Sequence, residues 1–297
     1  MLAVEKRKTA VESQNISRAY DKKYVLQDIN LRIKKGEIFA LLGPNGSGKT
    51  TFFKILMRLI NPEKGRIFID GKDIRTAKVM HKISYQGEMY RLYDYMTPRE
   101  IIELAASFYQ NSYPEWGFKL LEEYNIPPDK KIKTFSRGMK QITKVIQSLI
   151  NRGEIIILDE PTTGLDFENQ WKIWQLLIDL NDTGRTIIFS THNFSEVEKM
   201  AERAALLKEG RLLAVKSVEE LPKNSARIIF VPQSDLDEDI FEIEGVTGVE
   251  KKGSTYYIYF NKKQQEIISH LSSQPYFTLK VENPDLKDIF QIVGDEN

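Results

Sequence analysis

The sequence predicts an α/β fold with buried parallel strands and a small α+β domain after it, on three observations. Ile38-Phe39-Ala40-Leu41-Leu42 empties into the glycine-rich Gly43 to Thr50, and apolar residues at helical spacing follow it, Phe52, Phe53, Ile55, Leu56 and Leu59. Two further short apolar runs, Ile155 to Leu158 and Thr186 to Phe189, have the length and texture of strands covered on both faces. Beyond residue 226, strand and helix patterns alternate as βαββαβ.

Gly43-Pro44-Asn45-Gly46-Ser47-Gly48-Lys49-Thr50 has the spacing G-x-x-x-x-G-K-T between a strand and a helix. Glycines let backbone N–H groups curl around an anion, the helix start near Gly48 adds free N–H groups and a positive dipole end, and Lys49 adds a point charge. Thr50 is placed to hold a Mg²⁺ ion through its hydroxyl. A nucleoside triphosphate is the ligand this arrangement predicts.

The remaining bounds are mostly exclusions. A length of 297 residues permits one large domain or a large one plus a small one. Lys and Arg total 43 against 42 Asp and Glu, a net charge of +1, so no nucleic acid or acidic lipid surface is expected as partner. The absence of cysteine excludes disulfides and thiol catalysis and fits a reducing compartment. Residues 1–10 carry Lys6, Arg7 and Lys8 with no apolar stretch behind them, so they read as a flexible tail rather than a secretion signal. No apolar run approaches bilayer length, and the expectation is a soluble chain that reaches a membrane only through a partner.

In chain order, Ile16 to Ile33 alternates as two strands around Asp21-Lys22-Lys23, with Tyr20 ending the first. Gly65 to Ile69 reads as a strand entering an Asp70-Gly71 hairpin turn. After Ile83 the chain turns aromatic and irregular, through Tyr85, Tyr90, Tyr93 and Tyr95. Thr97-Pro98-Arg99-Glu100 starts a helix with a capping box, and Pro114 to Tyr124 forms another before Pro127-Pro128. Together with the helix capped by Ser136 and carrying Ile142, Val145, Ile146 and Leu149, these make a helical subdomain over about 89–150. The strand from Ile155 ends in two carboxylates, Asp159 and Glu160, and beside a phosphate loop such acids orient metal-bound and attacking water. Pro161 to Asp166 is a turn, Trp171 to Leu180 an amphipathic helix, and His192 closes the strand from Thr186 at the end where open α/β sheets hold ligands. His81 and His270 read as ordinary surface or packing residues.

With these pieces in one order, residues 11–221 resemble the nucleotide-binding subunit of an ABC transporter. Gly43 to Thr50 resembles the Walker A loop, Ile155 to Glu160 Walker B with its catalytic glutamate, Ser136 to Gln141 the signature motif, Pro161 to Asp166 the D-loop and His192 the switch histidine. Tyr20 is similar to the aromatic that stacks on adenine. The resemblance implies a P-loop NTPase core of the ABC-ATPase type, with an antiparallel β subdomain and a helical subdomain, that binds ATP and Mg²⁺. Gly43, Pro44, Asn45, Gly46, Ser47, Gly48, Lys49, Thr50 and Thr51 would bind ATP, Thr50 and Asp159 the metal, and Glu160 and His192 would be catalytic. It further implies a head-to-tail homodimer in which Ser136, Arg137, Gly138 and Met139 meet the partner's nucleotide, with Asp166 in the D-loop nearby. A transmembrane permease subunit would dock near Tyr90 to Met96, placing the chain in the cytoplasm, peripheral on the inner membrane face.

Two departures from the family pattern stand out. The usual L-S-G-G-Q is Phe135-Ser136-Arg137-Gly138-Met139 here, similar to exporters whose membrane halves are of the type-two class. The glutamine that senses metal and water falls on Glu88 by ungapped register, while Gln86 lies two residues earlier, and both stay open as catalytic and, for Glu88, metal-binding candidates. Leu206 to Val215 resembles the hairpin closing the core, Pro222 to Ser225 a linker, and residues 226–297 a ferredoxin-like accessory domain of the kind such exporters carry, ending in a helix over Leu286 to Val293. The implied function is ATP-driven export of an amphipathic peptide, drug, lipid or polysaccharide. The rivals are a soluble ABC ATPase acting on nucleic acid or ribosomes, and an ATP sensor that does not hydrolyse.

Overall fold

Two strands open the chain, β1 (Thr9–Tyr20) and β2 (Lys23–Lys34), and β3 (Ile38–Leu42) leads to α1 (Lys49–Leu56). The computed structural model describes residues 7–21, 23–88, 91–218, 226–234, 238–260 and 263–282. β1 starts inside the stretch expected as a tail. Thr9 pairs with Lys34, and Ala10 is buried while its carbonyl accepts the Asp70 N–H at 2.9 Å, so the backbone there is held by ladder bonds on both sides.

Next come β4 (Lys64–Ile69) and β5 (Lys72–Asp73), joined by Asp70 and Gly71 at φ 51° and 74°, the pair of positive values that a two-residue hairpin needs. These strands form an antiparallel sheet in the order β2-β1-β4-β5. After β6 (Ile83–Gln86) the chain leaves for α2 (Pro98–Ser107), α3 (Pro114–Glu123) and α4 (Arg137–Ser148). Thr97 and Glu100 form the reciprocal capping box of α2, and Ser136 Oγ accepts the Met139 N–H at the start of α4.

The chain returns through β7 (Ile155–Asp159), α5 (Phe167–Asp182), β8 (Thr186–Thr191), α6 (Phe194–Met200) and β9 (Arg203–Lys208). The order β9-β3-β8-β7-β6 is parallel throughout, and every residue of β3, β7 and β8 is buried, which is why those strands read as unbroken apolar runs. α5 begins four residues before its expected start at Trp171, because Asp166 accepts the Asn169 N–H and caps it. Helix α1 supplies Phe52, Phe53, Ile55 and Leu56 to one core shared by Ile16, Leu26 and Ile29 of the antiparallel sheet and Phe39, Leu41 and Ile157 of the parallel one. That packing fixes the phosphate loop between two sheets.

A turn at Glu209 and Gly210 (φ 50° and 77°) leads to β10 (Arg211–Ser217). The chain divides into two units, 1–212 and 213–297; the division falls in β10, ahead of residue 221 where the sequence placed the first domain's end. The second unit holds β11 (Ala226–Pro232), β12 (Val246–Lys252), β13 (Thr255–Phe260), α7 (Gln264–Ser272) and β14 (Tyr276–Glu282). Its antiparallel sheet runs β12-β13-β11-β14, the ferredoxin-like arrangement, over a core of Ile228, Phe230, Ile258, Phe260, Ile267 and Leu271. Among the described residues of the first crossover, Glu238–Phe241 is a 3₁₀ turn where a helix was expected near Leu236 to Ile243; residues 235–237 lie outside the described residues. Tyr90, the linker at Pro222 to Ser225 and the helix expected over Leu286 to Val293 lie outside the described residues. No helix among the described residues is long and apolar enough to cross a membrane.

The capping box sets a measurable increment: Thr97→Ala lowers the unfolding free energy by about 1 kcal/mol, read as a lower denaturant midpoint at unchanged slope.

Candidate nucleotide site

Close packing dictates the loop's glycines. A Cβ on Gly43 would lie 2.1 Å from the Leu207 carbonyl oxygen, and one on Gly48, whose φ is 110°, would lie 2.7 Å from the Val25 oxygen. Gly46, at φ 80°, faces open space on the exposed crest with Pro44 and Asn45, while Ser47 is buried beneath it. Gly48 caps α1 without a side chain, so the first-turn N–H groups of the helix are left for a ligand. A cavity of about 380 Å³ opens here, with Asn45, Gly46, Lys49, Thr50, Thr51 and Glu88 on its wall and Glu160 at its end.

Lys49 is buried and answered from within. Its Nζ donates to the carbonyls of Gly43 at 2.8 Å and Pro44 at 3.2 Å, and lies 3.3 Å from Glu160 Oε1 as an ion pair without hydrogen-bond geometry. Glu160 Oε2 accepts from Thr163 Oγ1 at 2.6 Å and stands 3.0 Å from His192 Nδ1. The Glu160 backbone sits at φ 51°, a conformation that costs roughly 1–3 kcal/mol in a non-glycine residue and persists only where neighbours hold it. One neighbour is Ser190 on β8, whose Oγ accepts the Glu160 N–H at 2.9 Å and donates to Asp159 Oδ1 at 2.5 Å. A single hydroxyl thus anchors the Asp159 carboxylate and the Glu160 backbone.

Asp159 Oδ2 is fully buried with no partner, and so is Ser47 Oγ. Buried oxygens left unsatisfied in this way suit a metal-bound water or a phosphate. Among the described residues no group of three or more His, Cys, Asp or Glu is placed to hold a metal unaided. That donor set fits Mg²⁺, which binds through one or two protein oxygens plus phosphate and water. Thr50 Oγ1 lies 3.5 Å from Glu88 Oε2, so Glu88 stands beside the first turn of α1 on the cavity's wall. Gln86 is 3% exposed, its amide donates to the Gly87 carbonyl at 2.8 Å, and its Oε1 is buried without a partner. Burial, then the charges of Asp159 and Glu88, push the phenol of Tyr85 upward.

A second cleft, of about 520 Å³, shares Glu88 and Glu160 with the first and is walled by Arg91, Arg137, Lys140 and Lys144. Burial first, then the charges of Arg137, Arg91 and Lys140, hold the Lys144 ammonium below the ordinary lysine range. Arg137, the departure from the usual signature, donates to the Thr163 carbonyl at 3.2 Å and packs so closely that a Cβ on Gly164 would fall 2.2 Å from its guanidinium carbon. Ser136, Gly138 and Met139 form the start of α4, where a Cβ on Gly138 would meet Asn169 at 2.5 Å. Asp166 caps α5. Tyr20 ends β1 half-exposed under the Arg18 guanidinium at 4.7 Å and is absent from the loop cavity's wall. Tyr93 and Tyr95 are exposed with ring centroids 5.7 Å apart, whereas Met96 packs inward against Leu92, Ile101 and Ile132. His81 and His270 are exposed. Sequence reasoning missed Ser190, Thr163 and Glu196; a hydroxyl in an apolar strand opposite paired acids was the one available signal for Ser190.

A strand–glycine loop–helix cradle closed by two carboxylates and a histidine, with a helical subdomain beside it, defines an ATP-binding cassette. The family model described as "ABC transporter" matches residues 26–163. ABC transporter ATP-binding protein YtrB of Bacillus subtilis is 30% identical over 88% of this chain and 90% of its own length. Linearmycin resistance ATP-binding protein LnrL of the same organism is 34% identical over 69% of this chain and 68% of its own. Nod factor export ATP-binding protein I of Burkholderia thailandensis is 30% identical over 79% and 76%. Among solved structures, the dimeric post-hydrolysis state of the cassette MJ0796 with ADP and Pi superposes at a TM-score of 0.63, with 29% identity over 70% of this chain and 98% of that one. The chain belongs to the ABC transporter ATP-binding family. It is the ATP-binding subunit of an ABC transporter, an ATPase whose hydrolysis is coupled to transport, and the rival of a soluble ATPase on nucleic acid or ribosomes is not favoured.

Gly48→Ala tests the cradle's packing. The left-handed φ and the Val25 carbonyl together cost about 2 kcal/mol or more, so the variant melts lower and loses binding of a fluorescent ATP analogue.

Proposed function

We propose that this subunit forms a head-to-tail homodimer holding two ATP molecules, each between one copy's Gly43 to Thr51 loop and the other's Ser136 to Gly138. Closure on ATP and reopening after hydrolysis drive a transmembrane permease subunit that exports its substrate. The observation that carries this is the Glu160 carboxylate on the wall of the loop cavity, with Lys49 Nζ 3.3 Å from one oxygen and His192 Nδ1 3.0 Å from the other. Lys49 and the loop N–H groups bind the phosphates, and Tyr20 stacks on adenine. Thr50 and Asp159 would hold Mg²⁺, whose chemistry when bound would be neutralisation of phosphate charge. Glu160 polarises the attacking water and His192 contacts the γ-phosphate.

Of the two sensor candidates, Glu88 is the better supported, because it faces Thr50 while Gln86 is buried with its amide bonded to the adjacent carbonyl. The names of the linearmycin-resistance and Nod-factor-export relatives support export. Selectivity among amphipathic peptides, drugs, lipids and polysaccharides resides in the permease, which docks near Tyr93 and keeps this chain in the cytoplasm against the inner membrane face. The second unit supports the dimer or regulates it.

Glu160→Gln retains ATP binding, lowers turnover by about 10²-fold or more, and elutes as a dimer with ATP in gel filtration; undiminished phosphate release refutes the assignment. Glu88→Ala loses more turnover than Gln86→Ala in the same assay, and the reverse ranking moves the sensor to Gln86.

A further inference from the structure

Glu196 belongs to none of the motifs described above and lines neither cavity at the site. It lies in the first turn of α6 with 7% of its surface exposed, four residues past His192. Its two carboxyl oxygens are both engaged: Oε1 accepts from Thr162 Oγ1 at 2.6 Å and Oε2 from Thr191 Oγ1 at 2.6 Å. Thr162 is 1% exposed and Thr191 2%, so neither hydroxyl has water as a substitute partner. Thr191 Oγ1 in turn accepts the Asn193 N–H at 2.9 Å, which fixes the chain on both sides of His192.

The two threonines flank the reacting groups. Thr162 follows Glu160 by two residues at the start of the D-loop turn, and Thr191 immediately precedes His192 at the end of β8. No bond of the parallel ladder joins these segments, because both lie past the paired residues of β7 and β8. The segment after β7 carries the strained Glu160 backbone, and the Glu160–His192 contact of 3.0 Å spans the same gap.

We propose that Glu196 is a positioning residue for ATP hydrolysis, bridging Thr162 and Thr191 so that the Glu160 carboxylate and the His192 imidazole stay in register while the D-loop moves against a second copy. The proposal rests on the roles of Glu160 and His192 given above. Glu196 reaches the reaction only through those two groups, so its loss lowers the rate of the chemical step and leaves nucleotide affinity in place. A displacement of about 1 Å at a reacting group costs on the order of 10²-fold in rate.

The test is steady-state ATPase of the full chain, with fluorescent-ATP binding and thermal melting measured alongside. Glu196→Gln lowers kcat about tenfold or more with KM within about threefold, the pattern of an interaction needed in the transition state alone. Thr162→Val lowers kcat likewise, and Thr162→Ser, which keeps the hydroxyl, restores it. In a His192→Ala background the further loss from Glu196→Gln shrinks to about threefold or less, because residues acting as one unit are not additive. Wild-type kcat in Glu196→Gln, equal losses in both backgrounds, or equal defects in Thr162→Ser and Thr162→Val each overturn the proposal. If Glu196→Gln does not fold, the Thr162 pair decides the question alone. Glu160→Gln in parallel separates the failures: if it alone abolishes turnover, the catalytic reading stands without the bridge, and if it turns over normally, that reading falls first.

Discussion

The close approach of three glycines to backbone carbonyls governs the architecture around the phosphate loop. Gly43 abuts Leu207, and Gly48 and Gly210 both abut the Val25 carbonyl, with no room for a methyl group at any of them. The Gly210 N–H donates to the Ser47 carbonyl at 3.0 Å and its carbonyl accepts the Gln27 N–H at 2.7 Å. β2, the loop and the turn after β9 are therefore knitted into one rigid wall, and the start of α1 has one orientation relative to both sheets. Every distance in the site follows from that wall on one side and from Ser190 on the other.

Ser190 does for the two acids what the glycines do for the loop. It lies in a strand that is buried throughout, and its hydroxyl satisfies the Glu160 N–H while holding Asp159 Oδ1. With one Asp159 oxygen engaged and the other unpartnered, the acid offers one free oxygen in a fixed orientation rather than a rotating group. Preorganisation of this kind is what electrostatic catalysis requires, since donors and acceptors then need no rearrangement as charge develops.

The parallel strands, the loop and the helix starts were legible because each rests on local chemistry: unbroken apolar runs, glycine spacing, capping residues. The second unit's strand order was legible from its alternation of elements, although the described part of its first crossover is a 3₁₀ turn. What could not be read is what tertiary contact decides. Ungapped register pointed to Glu88 over Gln86 without excluding either, and the fold turns Glu88 toward Thr50 and buries Gln86. The bond from the Arg137 guanidinium to the Thr163 carbonyl of its own D-loop had no signal in the sequence. Glu196 carries no signal at all, because one acid in a short helix gives no hint of two hydroxyls arriving from a turn and a strand end.

The internal bonds of Lys49 have a consequence for ion selectivity. With two carbonyls and a carboxylate around the ammonium, the charge of Lys49 is largely answered within the chain. A monovalent anion such as chloride offers too little to displace three oxygen partners at once. A polyphosphate chain can replace them and meet the backbone N–H groups of the loop in the same event, which favours it over any small monovalent anion.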